Sequence, residues 1–154
     1  MDFGFWIEEA FWQAMNEREF KERTYRLALR TIRLVHALPK TTVASVIGKQ
    51  LLRSGTSIGA NYRAACRGRR AAEVMAKLGI VEEEADETLY WMELLIEAEV
   101  VPRRRLGPLM TETSEILAMT VASIKTLRLS VDRKQPSQKL ERHLNPKSKI
   151  QNPK

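Results

Sequence analysis

The chain has 154 residues, of which 44% are hydrophobic, and its formal net charge is +7. This length and composition predict a single domain with its own hydrophobic core. No window approaches 18 consecutive apolar residues, and the opening "MDFGFWIEEAFW" is acidic and aromatic rather than a basic secretory signal. We therefore expect no membrane span and a cytoplasmic protein.

Charge is divided sharply along the chain. Residues 18–70 contain 13 basic and 2 acidic side chains, whereas residues 71–100 contain 1 basic and 9 acidic ones. Adjacent blocks of opposite charge predict two elements that pair with each other, with some basic surface left for an acidic partner.

Helical periodicity dominates the first part of the chain. From Glu19 to Leu38 apolar side chains recur every three or four residues, which predicts a first helix that Pro39 ends. Its apolar face is predicted to comprise Tyr25, Ala28, Leu29, Ile32, Val35 and His36. Thr41 and Thr42 are candidate N-caps for a second helix.

The stretch "RSGTSIGANYRAACRGRR", residues 53–70, contains the glycines, hydroxyls and arginines of which phosphate-binding loops are made. It lacks the residue order of such loops, and one helical phase persists through Gly55 and Gly59. The apolar face comprises Val43, Ile47, Leu51, Ile58, Tyr62 and Ala65. The pattern therefore predicts a single helix of about 28 residues that starts near Thr42.

The two glycines within this helix need a physical compensation, since each costs about 1 kcal/mol relative to alanine. Close approach of a neighbouring helix would supply it, because small side chains let two backbones come together. Ser54 and Ser57 are then expected to bond to carbonyls one turn earlier or to the packed neighbour.

Two further helices are predicted downstream. The third runs from Ala71 to Ala98 and the fourth from Leu109 to Val131, and the segment "PRRRLGP" between them, residues 102–108, predicts a turn because it has a proline at each end. The inward faces are predicted to comprise Val74, Leu78, Val81, Ala85, Leu89, Met92 and Leu95 or Ile96 in the third helix, and Leu109, Thr113, Ile116, Leu117, Thr120, Ile124 and Leu127 in the fourth.

Four long helices with short connections and no strands predict an all-α fold, an up-down-up-down four-helix bundle over residues 16–131. Residues 1–15 form an aromatic, acidic N-terminal extension that is a candidate for docking on a hydrophobic surface. Residues 132–154 are rich in Lys, Gln, Ser, Asn and Pro, which predicts a disordered basic tail.

The segments "RSGTSIGANYRAA" (53–65) and "KLGIVEEEADETLYWMELL" (77–95) resemble the 23S ribosomal-RNA intervening-sequence protein family. The terminal "NPKSKIQNPK" (145–154) adds to the resemblance, which covers residues 18–131 and that tail. Its most specific positions are Ser57, Ile58 and Asn61 followed by Glu87, Thr88, Tyr90 and Trp91. The chain departs from the family pattern where Ala64 and Ala65 replace a usual acidic residue and where Glu83 replaces a common lysine.

The resemblance implies a compact bacterial bundle that assembles as a ring-shaped homo-oligomer, a homopentamer. Relatives include the accessory protein of diversity-generating retroelements, which binds nucleic acid and a reverse transcriptase. For most members no biochemical activity is established, so the resemblance implies a fold and an oligomer more than a function.

A basic row on the second helix is the candidate nucleic-acid-binding face. It comprises Lys49, Arg53, Arg63, Arg67 and Arg70, on the side opposite the apolar face. Arginine forks match phosphate oxygens, so binding would be directed at the nucleic-acid backbone and sensitive to salt. Further candidates are the tail lysines and Arg103, Arg104 and Arg105 in the predicted turn. The alternative is that the basic row is a solvated face, or pairs with acids of the third helix in the same or a neighbouring subunit.

Polar and aromatic residues near the interior are candidates for structural roles. Ser57 and Asn61 lie near the core face of the second helix, where they would set helix register or subunit pairing. Glu87, Tyr90 and Trp91 would bond across helices, anchor a subunit contact, or pack within the subunit.

Nothing in the sequence predicts catalysis, a metal site or a cofactor. The chain has no Glu-x-x-His pair for a di-metal site, and Cys66 has no neighbouring cysteine or histidine, so we expect it to be a buried small side chain. The leading hypothesis is a non-catalytic, homo-oligomeric module that binds RNA or DNA, or acts as an adaptor, through the basic row. The alternative is a protein-interaction scaffold without nucleic-acid binding, in which the aromatic N-terminus docks a protein partner.

Overall fold

The computed structural model describes residues 16–134, and these form four helices with no strand among them. In chain order the helices are α1 (Glu17–His36), α2 (Thr42–Ala65), α3 (Ala71–Glu97) and α4 (Arg103–Lys134). Each helix packs mainly on its neighbours in sequence, and α1 and α4 contact each other less extensively. The all-α prediction of four helices is therefore confirmed.

The predicted terminal segments fall mostly outside the described residues. The extension over residues 1–15 lies there, as does the tail from residue 135 onward. The helix α4 continues through residues 132–134, which the sequence pattern assigned to the tail. None of the helices in residues 16–134 is long and apolar enough to cross a membrane.

Side-chain caps start the first two helices. Asn16 Oδ1 accepts a hydrogen bond from the Glu19 N–H at 3.2 Å, and Thr41 Oγ1 accepts one from the Ala44 N–H at 3.2 Å. These bonds satisfy backbone donors that have no partner within the first helical turn. The expected cap at Thr41 is present, and α1 ends at His36, shortly before the proline.

The segment with the two glycines lies within α2. The backbone stays helical through Gly55 and Gly59, and no glycine among the described residues has a positive φ. The helix ends at Ala65 after 24 residues, so it is shorter than predicted. The chain turns near Gly68, where an added Cβ would lie 2.7 Å from Cγ2 of Val74 in α3. The last part of the basic row therefore lies in the connection to α3.

Glycines of α2 let α1 approach closely. A Cβ added to Gly55 would lie 2.8 Å from both Oγ1 and Cγ2 of Thr31, and one added to Gly59 would lie 3.4 Å from the backbone oxygen of Thr24. Only a residue without a side chain fits the first of these positions unless its neighbour moves. The geometry agrees with the close helix packing expected at these glycines.

The buried face of α1 is not the predicted one. The residues buried in α1 are Phe20, Thr24, Leu27 and Thr31. Tyr25 and Ile32, on the predicted face, are 56% and 45% exposed. The pattern of apolar side chains in α1 did not single out Thr24 and Thr31, whose hydroxyls donate to the carbonyls of Phe20 and Leu27 at 3.0 and 2.9 Å. Threonines that bond within their own helix can be buried, and they are small enough to face the glycines of α2.

The helix α4 begins at Arg103 rather than Leu109, so the prediction of a turn over residues 102–108 is wrong. Leu106 is fully buried and Leu109 nearly so, which places both in the core. Burial of Leu106 stabilises the extra helical turn, and Pro108 removes only one backbone donor near the start of the helix.

The helices α2, α3 and α4 meet along faces close to the predicted ones. Fully buried members of this core include Leu51, Ile58, Tyr62, Leu78, Val81, Met92, Leu95, Ile116 and Leu127. The ring of Tyr62 packs against Phe20 with a centroid separation of 4.4 Å, which ties α2 to α1. Val43, predicted on the inward face of α2, is exposed.

Candidate functional site

Arg53, in the middle of the basic row, is engaged with α3. Its Nη1 donates to Glu84 Oε1 at 3.1 Å, and its Nη2 donates to Glu87. Glu87 also accepts a hydrogen bond from Trp91 Nε1 at 3.0 Å. The bond from Arg53, and then that from Trp91, lowers the pKa of Glu87, while the bond to Glu87 raises the pKa of Arg53. Arg53 is thus paired within the chain, as the alternative interpretation of the basic row expected.

A buried polar contact also joins α2 to α3. Oγ1 of Thr88 lies 2.9 Å from Oγ of Ser54, and both side chains are fully buried. The same two hydroxyls lie 2.7 Å and 3.3 Å from the carbonyl oxygens of Glu84 and Leu51 in their own helices. Because each hydroxyl has hydrogen-bond partners, its burial carries little penalty.

Ser57 and Asn61 are both half-buried. Nδ2 of Asn61 donates to the backbone carbonyl of Ser57 at 3.0 Å, a bond that closes one turn of α2. This bond supports the helix itself and does not cross to another helix.

Tyr90 and Trp91 differ in exposure although they are adjacent. Tyr90 is 52% exposed, whereas Trp91 is half-buried and packs against the core. Their ring centroids lie 5.0 Å apart in an edge-to-face arrangement. The bond to Glu87 therefore holds Trp91 within the subunit, and Tyr90 presents its ring at the surface.

Unpaired arginines gather where α1 begins and α2 ends, a surface that we call the basic end. It comprises Arg18, Arg63, Arg67 and Arg69, all of them exposed. Arg18 and Arg63 line one surface depression of about 650 Å³, and Arg67 and Arg69 lie in the connection just beyond α2. None of the four guanidinium groups forms an ion pair with any of residues 16–134.

Two carboxylates near the basic end already have partners. Glu17 pairs with Lys21, one turn along α1. Glu73 accepts hydrogen bonds from the backbone N–H of Arg69 at 3.1 Å and from Nε of Arg70 at 2.8 Å, and these bonds, the backbone one first, lower its pKa. Arg70, a member of the predicted basic row, is therefore paired with its own local acid.

The remaining predicted bases lie at other connections. Lys49 lines a depression beside the connection between α1 and α2. Arg103, Arg104 and Arg105 begin α4, and Nη2 of Arg103 lies 3.5 Å from Oε1 of Glu97 at the end of α3. The 27 residues of α3 separate its two connections by about 40 Å. The structure therefore does not bring the predicted bases into one surface.

Sequence reasoning missed two members of the basic end. Arg69 belongs to the run "RGRR", residues 67–70, and the density of charge there was a signal for it. Arg18 stands far from that run in sequence, and only the packing of α1 on α2 brings it beside Arg63.

A link between α1 and α4 was also missed. Arg23 donates from Nε to Glu112 Oε1 at 2.8 Å and from Nη2 to Glu115 Oε2 at 2.6 Å. The bond from Arg23 lowers the pKa of Glu112, and the bond to Glu112 raises the pKa of Arg23. These bonds bridge α1 and α4, which pack on each other less than helices consecutive in sequence do.

Cys66 caps the end of α2 and is half-buried. Burial, followed by the nearby Glu17 carboxylate, raises the pKa of its thiol to about 11. The thiol is therefore protonated near neutral pH, where the thiolate would be the reactive form.

Comparisons with known proteins agree with this architecture. The sequence profile of the family described as "23S rRNA-intervening sequence protein" matches residues 16–122. A crystal structure of a protein with unknown function from the S23 ribosomal protein family of Bacteroides thetaiotaomicron is similar, with 37% sequence identity and a TM-score of 0.68 over 72% of this chain and 99% of that chain. No curated protein matches the chain. The resemblance noted in the sequence is thereby confirmed, and the chain belongs to the 23S rRNA intervening sequence protein family.

Proposed function

We propose that the chain is a cytoplasmic, non-catalytic module that binds the phosphate backbone of RNA or DNA through its basic end. The observation that carries this proposal is the clustering of four guanidinium groups that have no ion pair among residues 16–134. A guanidinium fork matches the oxygens of a phosphate, and arginine keeps its charge at any physiological pH. Contacts of this kind position a nucleic acid without reading its sequence.

Two of the other predicted bases, Arg53 and Arg103, suit phosphate binding less well because each already lies beside a carboxylate. Arg53 is already bonded to two carboxylates of α3, and Arg103 lies beside Glu97. Binding a phosphate at either place would compete with an existing ion pair, whereas the basic end offers charge without that cost. The family match and the similar crystal structure support the fold, and the unpaired arginines of the basic end support the proposed binding of nucleic acid.

Fluorescence anisotropy with a labelled RNA hairpin and a labelled DNA duplex tests the proposal. If about four phosphates are neutralised, affinity should fall roughly a hundredfold between about 50 and 200 mM salt. The double change Arg63→Glu and Arg67→Glu should weaken binding to both nucleic acids. It should also reduce the salt slope by about one for each phosphate that the variant no longer neutralises.

The pair Arg104→Glu and Arg105→Glu is the matched control, because it changes the net charge equally at the start of α4. Circular dichroism and thermal melting establish that both double variants keep the fold. Equal weakening by the two pairs would show that only net charge matters and would overturn the assignment to the basic end. A wild-type chain without salt-sensitive binding would overturn the proposal itself.

A second candidate function, a protein-interaction scaffold, is favoured by the pairing of Arg53 with Glu84 and Glu87. This pairing neutralises the charge of Arg53 within the molecule. A scaffold that does not bind nucleic acid would be expected to have its basic residues neutralised in this way. Self-association into a ring-shaped homo-oligomer, a homopentamer by resemblance, stays a prediction. Light scattering on the intact chain measures its mass and decides between a monomer and a ring.

We also propose that the four helices follow an up-down-up-down order. Each connection has five residues, which span at most about 18 Å when extended. If two consecutive helices were parallel, the connection between them would have to run back along the whole length of a helix. The shortest helix is α1, with 20 residues and a length of about 30 Å. Consecutive helices that pack on each other are therefore expected to be antiparallel.

A further inference from the structure

The outward side of α1 carries an apolar stripe that no other part of residues 16–134 covers fully. Tyr25 and Ile32 are 56% and 45% exposed, and Leu29 between them is half-buried. At 3.6 residues per turn the three lie on one side of α1, nearly opposite its buried face. Apolar residues at such spacing are typical of a packed face rather than a solvated one. We call Tyr25, Leu29 and Ile32 the outer stripe.

Basic side chains border the outer stripe. Arg18 lies on the same side of α1 two turns before Tyr25, and Arg33 follows the stripe directly. Arg63 of α2 lines the depression that contains Tyr25. The guanidinium groups of Arg18, Arg33 and Arg63 form no ion pair with any of residues 16–134. The segment that fits this surface is therefore both apolar and acidic.

We propose that residues 1–15 of the same chain fold back from Asn16 and cover the outer stripe. Their apolar side chains include Phe3, Phe5, Trp6, Ile7, Phe11 and Trp12. Their charged residues are Asp2, Glu8 and Glu9, with no base among the 15 residues. The segment thus complements the surface in both respects, since aromatic rings match the stripe and carboxylates match Arg33, the bordering arginine that lies outside the basic end.

The position of Asn16, to which residues 1–15 are attached, favours this segment as the one that covers the outer stripe. Asn16 has extended dihedrals, with φ −63° and ψ 106°, so it lies outside the helical turns of α1 and allows the chain to change direction there. Asn16 also lines the depression that contains Tyr25, which places the end of the segment beside the stripe. A covalently attached segment has a high effective concentration at a site this near, so modest contacts suffice to hold it.

The length of the segment suits the distances along α1. Tyr25 lies about 14 Å from Asn16 along the helix axis, and the chain from Trp12 to Asn16 spans up to about 14 Å when extended. Arg33 lies about 26 Å from Asn16, and the chain from Glu8 spans about 28 Å. One antiparallel path can therefore carry Trp12 to Tyr25 and Glu8 to Arg33.

Tryptophan fluorescence of the full chain tests the proposal. The chain has three tryptophans, so a Trp91→Phe background leaves Trp6 and Trp12 as the reporters. Tyr25→Glu with Ile32→Glu, both at exposed positions, should shift their emission to longer wavelength and raise the acrylamide quenching constant severalfold. Val43→Glu with Val46→Glu is the matched control, since these two valines are equally exposed on α2 and should leave the emission unchanged.

Chymotrypsin supplies a second measurement in the chain with Trp91 intact. Cleavage after Phe11 or Trp12 should be slow in the wild type and faster in the Tyr25→Glu, Ile32→Glu variant, with fragments identified by mass. The proposal would be overturned if the Tyr25→Glu, Ile32→Glu change altered neither the acrylamide quenching nor the rate of chymotrypsin cleavage. A wild-type signal that depends on protein concentration, with a mass that falls in the stripe variant, would assign the stripe to a second copy instead and would also overturn it.

Discussion

Thr31 in α1 and Gly55 in α2 leave no room between them for an added methyl group. A Cβ on Gly55 would lie 2.8 Å from both Oγ1 and Cγ2 of Thr31, and the Thr31 hydroxyl is held by its bond to the Leu27 carbonyl at 2.9 Å. We expect Gly55→Ala to lower the free energy of unfolding by about 1–3 kcal/mol through overpacking. This loss would exceed the gain of about 1 kcal/mol that alanine brings to a helix interior. Urea unfolding followed by circular dichroism measures it.

Gly79 in α3 is the matched control for this substitution. A Cβ there would meet nothing within 4 Å, so Gly79→Ala should raise the free energy of unfolding by up to about 1 kcal/mol. A Thr31→Ala change should in turn recover part of the loss caused by Gly55→Ala, because it removes both clashing atoms. If Gly55→Ala stabilises the chain as Gly79→Ala does, α1 and α2 are packed less closely than the structure describes.

The sequence pattern was sufficient to predict a helix where a single helical periodicity runs through the whole segment. The helical phase through Gly55 and Gly59 predicted a continuous α2, because a loop would have no reason to keep a period of 3.6 residues. The same kind of evidence failed for α1, where the buried positions include Thr24 and Thr31. Their burial depends on glycines in another helix, which the sequence of α1 alone does not show.

The composition of the candidate site was harder to predict than the helices, because it depends on contacts between residues distant in sequence. Arg53 and Arg63 fall on one side of α2, yet Arg53 meets carboxylates of α3 while Arg63 shares a depression with Arg18 of α1. The division of charge between residues 18–70 and 71–100 did predict that α2 and α3 would pair. Which arginines the pairing would leave free follows only from the packed structure.

The bonds of Glu87 predict a pH dependence. Its pKa in the folded chain is lowered by the bond from Arg53 and then by that from Trp91, so the carboxylate form is favoured by folding. The stabilisation is therefore present above the pKa of about 4.3 of an unfolded glutamate and is lost as pH falls through the folded value. Because Arg53 is about half exposed, the pair should contribute no more than about 0.5 kcal/mol.

Arg53→Ala tests this dependence. An NMR titration of the Glu87 carboxyl carbon should show its pKa move back toward the ordinary value in this variant. The difference in unfolding free energy between wild type and variant should be present at neutral pH and vanish in acid. An unchanged Glu87 titration would mean that Arg53 does not hold this carboxylate in solution.

The hydroxyl of Tyr62 is buried and has no hydrogen-bond partner of normal geometry among the described residues, although the thiol of Cys66 lies near it. Burial is the main cause that raises the pKa of Tyr62. We expect Tyr62→Phe to raise the free energy of unfolding by about 1 kcal/mol, because it removes an unsatisfied polar group and keeps the ring contact with Phe20. Thermal and urea unfolding measure the change. A loss of stability would show that the hydroxyl does bond, either to the nearby thiol of Cys66 or to a group outside residues 16–134.

Arg23 supplies a polar link between α1 and α4, which pack on each other less than consecutive helices do. Its guanidinium group bonds to Glu112 and Glu115, and the side chains of Arg23 and Glu112 are each only 23% exposed. We expect Arg23→Ala to lower the free energy of unfolding by about 1–2 kcal/mol, because it leaves a partly buried carboxylate without its partner. Hydrogen exchange should become faster in α1 before it does in α3, since the loss falls on one edge of the fold.

Arg26→Ala is the control for this last prediction. Arg26 pairs with Glu22 on the same helix, and its side chain is 72% exposed, so its loss should change stability by less than about 0.5 kcal/mol. Arg23→Lys should restore only part of the stability, because an ammonium group cannot bond in a fork to two carboxylates as a guanidinium does. If Arg23→Lys matches the wild type in both stability and exchange, a single positive charge is sufficient and the forked geometry does not contribute. If Arg23→Ala behaves like Arg26→Ala, apolar packing alone holds α1 against α4.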